Sequence, residues 1–307
     1  MTQLDVSRVL AKVEAGQSLA QAELSNLDLS HRRLDRGDFS SAYLRLSQLQ
    51  HASCRAANFT QATLVLADLT GSCLESATLT EAVLTQAYLD QVDLRWAIAT
   101  AAQFYGASLS QVDASHACFD KANLQNVSGP RSRFKQASLV QAQFDEANFS
   151  QSSFEGAQLS RSAWQGATLA GVSFATAILT QANLQETILI GANLSEADAL
   201  SCSFQGADLT AAVLQSAQLD WADFWNASLM KADLSQTSLY GATLESANLS
   251  GANLRGADLR AANLENAQLT DVQWQGAYVR GALFTDASGL SAEQRQWLRR
   301  HGALNVA

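Results

Sequence analysis

Ala252-Asn253-Leu254-Arg255-Gly256-Ala257-Asp258-Leu259-Arg260-Ala261 states one five-residue rule twice: small, Asp or Asn, Leu, then two variable residues. Outward from this stretch the rule holds across most of the 307-residue chain. A large apolar site recurs every fifth residue from Leu19 to Phe284, 54 sites in unbroken phase, and 48 of them are Leu, Phe or Trp. The exceptions are Cys54, Ala99, Ala114, Gly129, Ala199 and Val279, all small or apolar. Two residues before each large site, from Gly37 to Ala282, stands only Ala, Gly, Ser, Thr, Val or Cys.

A period of five fits neither the 3.6 of a helix nor the 2 of a flat strand. The large and small sites lie two apart, so in a short extended segment they share one face. The remaining residues must carry the chain round a corner to the next segment. A fixed internal repeat of this kind predicts a solenoid, in which each turn buries its neighbour's face.

With that pattern the chain resembles the pentapeptide-repeat proteins of bacteria, cyanobacteria among them, whose unit is A-(D/N)-L-x-x. The resemblance covers residues 17–286, roughly 88 % of the chain. It implies an all-β solenoid: a right-handed quadrilateral β-helix with four pentapeptides per square coil, about 13 coils and roughly 65 Å long at 4.8 Å per layer. Spacings of 20 then bring side chains into register. Asp35, Arg55, Glu75 and Arg95 alternate in sign at that spacing, as do Lys135 and Glu155. Asp93 over Asp113 and Glu245 over Glu265 break the rule.

The unbroken phase argues for one elongated domain, despite a length that would suit two. Residues 1–16 are expected to form an N-terminal capping helix, with Leu4, Val6, Val9, Leu10 and Val13 on one side and Gly16 as the stop. Residues 17–286 form the repeat, regular from about residue 37 because Leu27 and Arg32 break the small-site rule. A local irregularity is expected at Gly129-Pro130, which holds the single proline and the one glycine on a large site. Residues 287–307 supply a C-terminal capping helix and tail: Ser291 with Gln294 reads as a capping box, and Gly302 as the stop. Both helices would cover open solenoid ends.

No run approaches 18 apolar residues and the N-terminus has no secretory pattern, so a membrane span and export are not expected. Cys54 and Cys202 fall on inward sites, Cys73 and Cys118 beside them, and no spacing is that of a metal site. Free thiols of this kind suit a cytoplasmic location. The Asn-x-Ser/Thr triplets at Asn58, Asn126, Asn148, Asn193, Asn226 and Asn248 follow from the repeat rather than from glycosylation.

From Gly37 onward neither inward site carries a charge, so the axis offers no cleft for an acid or base. Asp198, Asp208, Asp223 and Asp233 occupy the Asp/Asn site of the repeat, and the four histidines have no nucleophile or ligand set beside them. No enzyme, cofactor or metal is expected. The outer walls remain. Net charge is −9, and residues 140–250 carry 2 basic and 11 acidic side chains. No basic stripe exists for nucleic acid, and an acidic central face would suit a protein partner with a basic surface. In that stretch Trp221 and Trp225 lie on outward sites beside Asp220 and Asp223, with Tyr240 about one coil away. These five residues are the candidate interface. Trp96, Tyr88 and Tyr105 form a looser group. The reading is a non-enzymatic interaction scaffold, a monomer or weak end-to-end dimer. The family resemblance implies an alternative, a DNA mimic that modulates a type II topoisomerase, as the quinolone-resistance members do. Against it stand the limited extent of the acidic stretch and a basic ending, Arg299-Arg300-His301.

Overall fold

The structure, a computed structural model, describes residues 4–306. Two compact units make up the chain, Met1–Gln158 and Leu159–Ala307, where the phase alone suggested a single domain. The physical reason lies in the repeat: residues that touch only the adjacent turn share no common centre.

Each unit is built from one five-residue side, repeated. Leu239 to Ala242 shows how a corner is made: the Ala242 N–H donates to the Leu239 carbonyl at 3.1 Å, and the third residue of the turn takes a positive φ, 64° at Gly241. Type II turns have this pattern. Non-glycine residues take the same conformation at most other corners, for example Trp221 at 61°. Such strain persists only where surrounding bonds over-determine it, and the ladder between coils does so. Leu24 and Asn26 donate to the carbonyls of Tyr43 and Arg45, and Tyr43 donates back to Ala22, all within 2.8–2.9 Å. Parallel bridges join residue i to residue i+20, from Glu23↔Tyr43 in the first unit to Asn263↔Leu283 in the second. Four sides therefore close one coil.

The ladder leaves one N–H per unit free, that of the residue after the large one. The Asp or Asn before the large residue takes it. Asn58 accepts from the Thr60 N–H, Asp208 from Thr210 and Asp233 from Ser235, each at 3.0 Å. Hence the Asp/Asn preference of the repeat is a turn-capping device. The large sites are buried from Leu19 onward and the small ones from Gly37, with Phe39, Phe59, Phe104 and Trp164 among the largest enclosed side chains. Each buried Leu or Phe contributes about 1.5–3 kcal/mol.

One expectation fails here. The turn-and-bridge geometry begins at Leu19, not near residue 37. The first coil has no coil before it to enclose its small sites, so Leu27 is accommodated half-buried and Arg32 exposed. At Gly129-Pro130 the phase continues through a locally altered corner: the Ser152 hydroxyl donates to the Gly129 carbonyl at 3.0 Å and accepts from the Ser132 N–H at 2.9 Å, in place of the usual bond across the turn. Pro130 occupies the second position of a turn, where its fixed φ is an advantage and where the ladder needs no N–H. Its carbonyl still accepts from Gln111 at 3.0 Å, and Arg131 keeps the usual positive φ of 60°. The void of the missing side chain at Gly129 is filled by the Phe149 ring, 2.5 Å from where a Cβ would stand.

Helix α1 is Val6–Glu14, opened by Asp5, whose side chain accepts from the Arg8 N–H; Val9 is its buried residue. Helix α2 is Ala292–Arg300, opened by the Ser291–Gln294 capping box and anchored by buried Leu298. Beyond it, Gly302 and Leu304 return to the last coil: their carbonyls accept from Gly281 at 2.8 Å and Phe284 at 3.0 Å.

Candidate functional site

The side 222–224 of the second unit is bounded by corners at 220–221 and 225–226. Its inward residues Ala222 and Phe224 are buried, and Phe224 stacks on Phe204 one coil earlier, 4.8 Å between centroids. That core sets the position of the corners. Trp221 projects from the first corner and is 59 % exposed; Trp225 projects from the second and is 48 % exposed. The 20-residue coil places Tyr240, 39 % exposed, beside Trp221, and the two rings meet edge to face at 5.3 Å and 86°. Edge-to-face pairs contribute about 0.5–1.5 kcal/mol beyond area burial. Trp221 also lies against Gly241, where a Cβ would stand 2.5 Å from its Cζ3.

The acidic members of the group are partly committed to structure. Asp220 accepts from the Ser238 hydroxyl and, at 3.1 Å, from the Tyr240 N–H. Asp223 accepts from the Trp225 N–H at 2.9 Å and from Gln205 at 2.5 Å. They fix the corners from which the aromatic rings project. Trp221 and Tyr240 are thus brought together, with Asp220 beneath them, while Trp225 and Asp223 stand across the side.

Two members were not read from the sequence. Arg260, one coil beyond Tyr240, holds its guanidinium 5.9 Å from that ring and grips Asp258 through Nε–Oδ1 at 2.9 Å and Nη2–Oδ2 at 2.6 Å. Those bonds hold the Asp258 carboxyl below the ordinary aspartate range. Leu200, at the same corner one coil before Asp220, is exposed. Spacings of 20 from Asp220 and Tyr240 would have found both.

The charge is not arranged as one face. In residues 159–250, eight acidic and two basic side chains give a net of −6. Asp198, Asp208, Asp223 and Asp233 bridge to Gln218, Ser228, Thr243 and Asn253, one on each of the four sides. A 15-residue offset or less changes the side, so a linear acidic stretch winds around the coil.

Other clusters resolve into structure. Arg55 pairs with Glu75, and Lys135 with Glu155 at 3.1 Å, as the 20-residue spacing requires; Asp35 and Arg95 instead pair within their own turns, with Arg33 and Asp93. Cys73, Glu75 and Asp93 bring ligand atoms within 4.8 Å of one another, but both carboxylates are already held by guanidinium groups. The four cysteines are free, Cys54 and Cys202 buried. Trp96 stacks on His116 at 5.4 Å, on a different corner from Tyr105. Among the described residues no helix is long and apolar enough to cross a membrane.

Comparison with known proteins gives the following. The family profile described as pentapeptide repeats matches in successive copies between residues 47 and 286, including 47–86, 87–126, 131–163 and 247–286. No curated protein matches the chain. Among solved structures it is similar to HetL, a pentapeptide-repeat protein involved in heterocyst differentiation regulation from the cyanobacterium Nostoc sp. strain PCC 7120, at 27 % identity over 94 % of this chain and 100 % of that one, TM-score 0.24. It is also similar to QnrB1, a plasmid-mediated fluoroquinolone resistance protein, at 21 % identity over 63 % of this chain and 98 % of that one, TM-score 0.33. Rfr23 of the cyanobacterium Cyanothece 51142 is 33 % identical over 35 % of this chain and 63 % of its own, TM-score 0.16. On the match of the repeat along most of its length, the chain belongs to the pentapeptide-repeat family, whose members fold as right-handed quadrilateral β-helices.

Proposed function

We propose that this protein is a non-enzymatic interaction scaffold that docks a protein partner on the corner formed by Trp221, Tyr240 and Leu200. Pentapeptide-repeat proteins are in general structural or interaction proteins, and from Gly37 onward no inward site here carries a charge. One observation carries the choice of surface: the exposed Trp221 ring is held in place by Gly241 and Tyr240 rather than left free. A pre-positioned aromatic side chain loses little conformational freedom on binding, and Trp and Tyr are the residues most often found at interface hot spots. Asp220 at this corner, with Asp223 and Glu245 toward the neighbouring Trp225 corner, favours a partner with a basic surface. Free cysteines accord with a cytoplasmic setting. The test is affinity capture from the source cell with the wild-type chain and with Trp221→Ala/Trp225→Ala, at low salt and at about 0.5 M salt, where charge steering is screened. The reading requires a partner that is lost in the variant and weakened by salt.

A second reading draws on a different observation. Carboxylates on all four sides of the second unit present negative charge all round, as duplex DNA does. The corresponding function is a DNA mimic acting on a type II topoisomerase. Gyrase supercoiling left unchanged by micromolar protein would end it.

A further inference from the structure

The last coil presents an incomplete edge at residues 272–276. One coil earlier the ladder is whole: Leu254 and Gly256 donate to Gln273 and Gln275, each at 3.0 Å, and Gln273 donates to the Ala252 carbonyl at 3.1 Å. One coil later the equivalent positions are 293 and 295, and these lie in α2, whose carbonyls are used along the helix. Gln294 Nε2 substitutes for the missing strand donor by reaching the Val272 carbonyl at 3.1 Å. Among the described residues, the backbone N–H groups of Trp274 and Gly276 have no acceptor. Beside them is a cavity of about 290 Å³ between the last coil and α2, lined by Trp274, Gln275, Glu293 and Trp297. The Trp274 side chain is only 5 % exposed, yet its indole N–H has no partner. A buried, unsatisfied donor is costly and rare in folded proteins.

We propose that this edge binds one extended segment of a partner polypeptide, which adds as the missing fifth-residue side. The edge offers donors only, two residues apart, and an extended chain presents carbonyls to one neighbour at that spacing. Trp274 and Trp297 suit an apolar side chain on the segment, and the Glu293 carboxylate suits a Lys or Arg next to it. A second copy of this chain is the poorer occupant by the same chemistry: its own C-terminal edge brings the same unpaired N–H groups, so donors would face donors. This surface is separate from the Trp221 corner, and either can fail alone.

The experiment is to pan a phage library of random linear heptapeptides on the full chain, then titrate the enriched peptides, made synthetically, into ¹⁵N-labelled protein. The expected peptides carry an apolar residue beside Lys or Arg. They should shift the Trp274 and Gly276 amides and the Trp274 indole resonance. Glu293→Lys should weaken binding more than tenfold, and a peptide with Glu in place of its basic residue should restore it, a rescue that a misfolded variant could not give. Failure to enrich any peptide overturns the proposal. So do shifts confined to other surfaces, such as the Trp221 corner, binding indifferent to the charge at 293, or self-association of the chain through this edge.

Discussion

Trp221 lies over Gly241, one coil further on, so closely that a Cβ on the glycine would stand 2.5 Å from the indole Cζ3. The glycine is therefore part of the aromatic corner. Gly241→Ala should force the ring away and weaken partner capture. Gly191 provides the control: it has a similar φ of 64°, but a Cβ there meets nothing within 4 Å. Both substitutions incur the left-handed backbone strain, about 1–2 kcal/mol. Only Gly241→Ala should alter Trp221 fluorescence. Equal spectral effects in the two variants would contradict the packing described.

Phe149 filling the space above Gly129 leads to a second prediction. Gly129→Ala should destabilise by about 1–3 kcal/mol through overpacking, and Phe149→Ala by about 3–5 kcal/mol through the cavity it leaves. Combining Gly129→Ala with Phe149→Leu should cost less than the sum of the single changes, because the smaller side chain vacates the contested space. Hydrogen exchange of the first unit reads this locally. Strict additivity would show that the two residues do not share a site.

Acid sensitivity should follow from the guanidinium-paired carboxylates. Hydrogen bonds from Arg95 hold Asp93 below the usual aspartate value of 3.8, and those from Arg260 do the same for Asp258. A pKa depressed in the fold contributes stability above the unfolded value and loses it as pH falls through the folded one. Denaturation midpoints should thus hold steady from neutral pH to about 5 and decline below about 4. Asp93→Asn should flatten the decline for the first unit. An identical slope in wild type and variant would refute the assignment.

Thiol labelling tests which positions face inward. Burial pushes the Cys54 thiol up, and that of Cys202 up to about 12; both are enclosed. A thiol reagent at mildly alkaline pH should label half-buried Cys118 in the native protein and reach Cys54 and Cys202 only after denaturation, since the thiolate is the reactive form. Native labelling of Cys202 would place its side outward.

Much of this architecture was legible because a five-residue period leaves few alternatives. Leu254 and Leu259 declare the large site, Ala252 and Ala257 the small one, and Ser291 with Gln294 marks the start of α2. What misled was composition taken without the coil. Pro130 reads as a local irregularity, and the coil absorbs it because it falls at a turn position that donates no ladder bond, with Ser152 bridging the corner. Arg32 reads as a defect, but a first coil has no neighbour to bury it. The acidic stretch 140–250 reads as one face, while the 20-residue coil sends its members to different sides, Asp198, Asp208, Asp223 and Asp233 to one each. The candidate corner was half visible: Trp221 and Tyr240 differ by 19 and so meet, whereas Leu200 and Arg260 become neighbours only when the chain is read in steps of 20.

The claim that the walls act through the Trp221 corner is tested most directly by quantitative affinity capture from the source cell, comparing wild type with Trp221→Ala/Trp225→Ala at equal fold stability. The account predicts a partner retained by the wild type and reduced at least tenfold in the variant. An undiminished partner profile in the variant would contradict it.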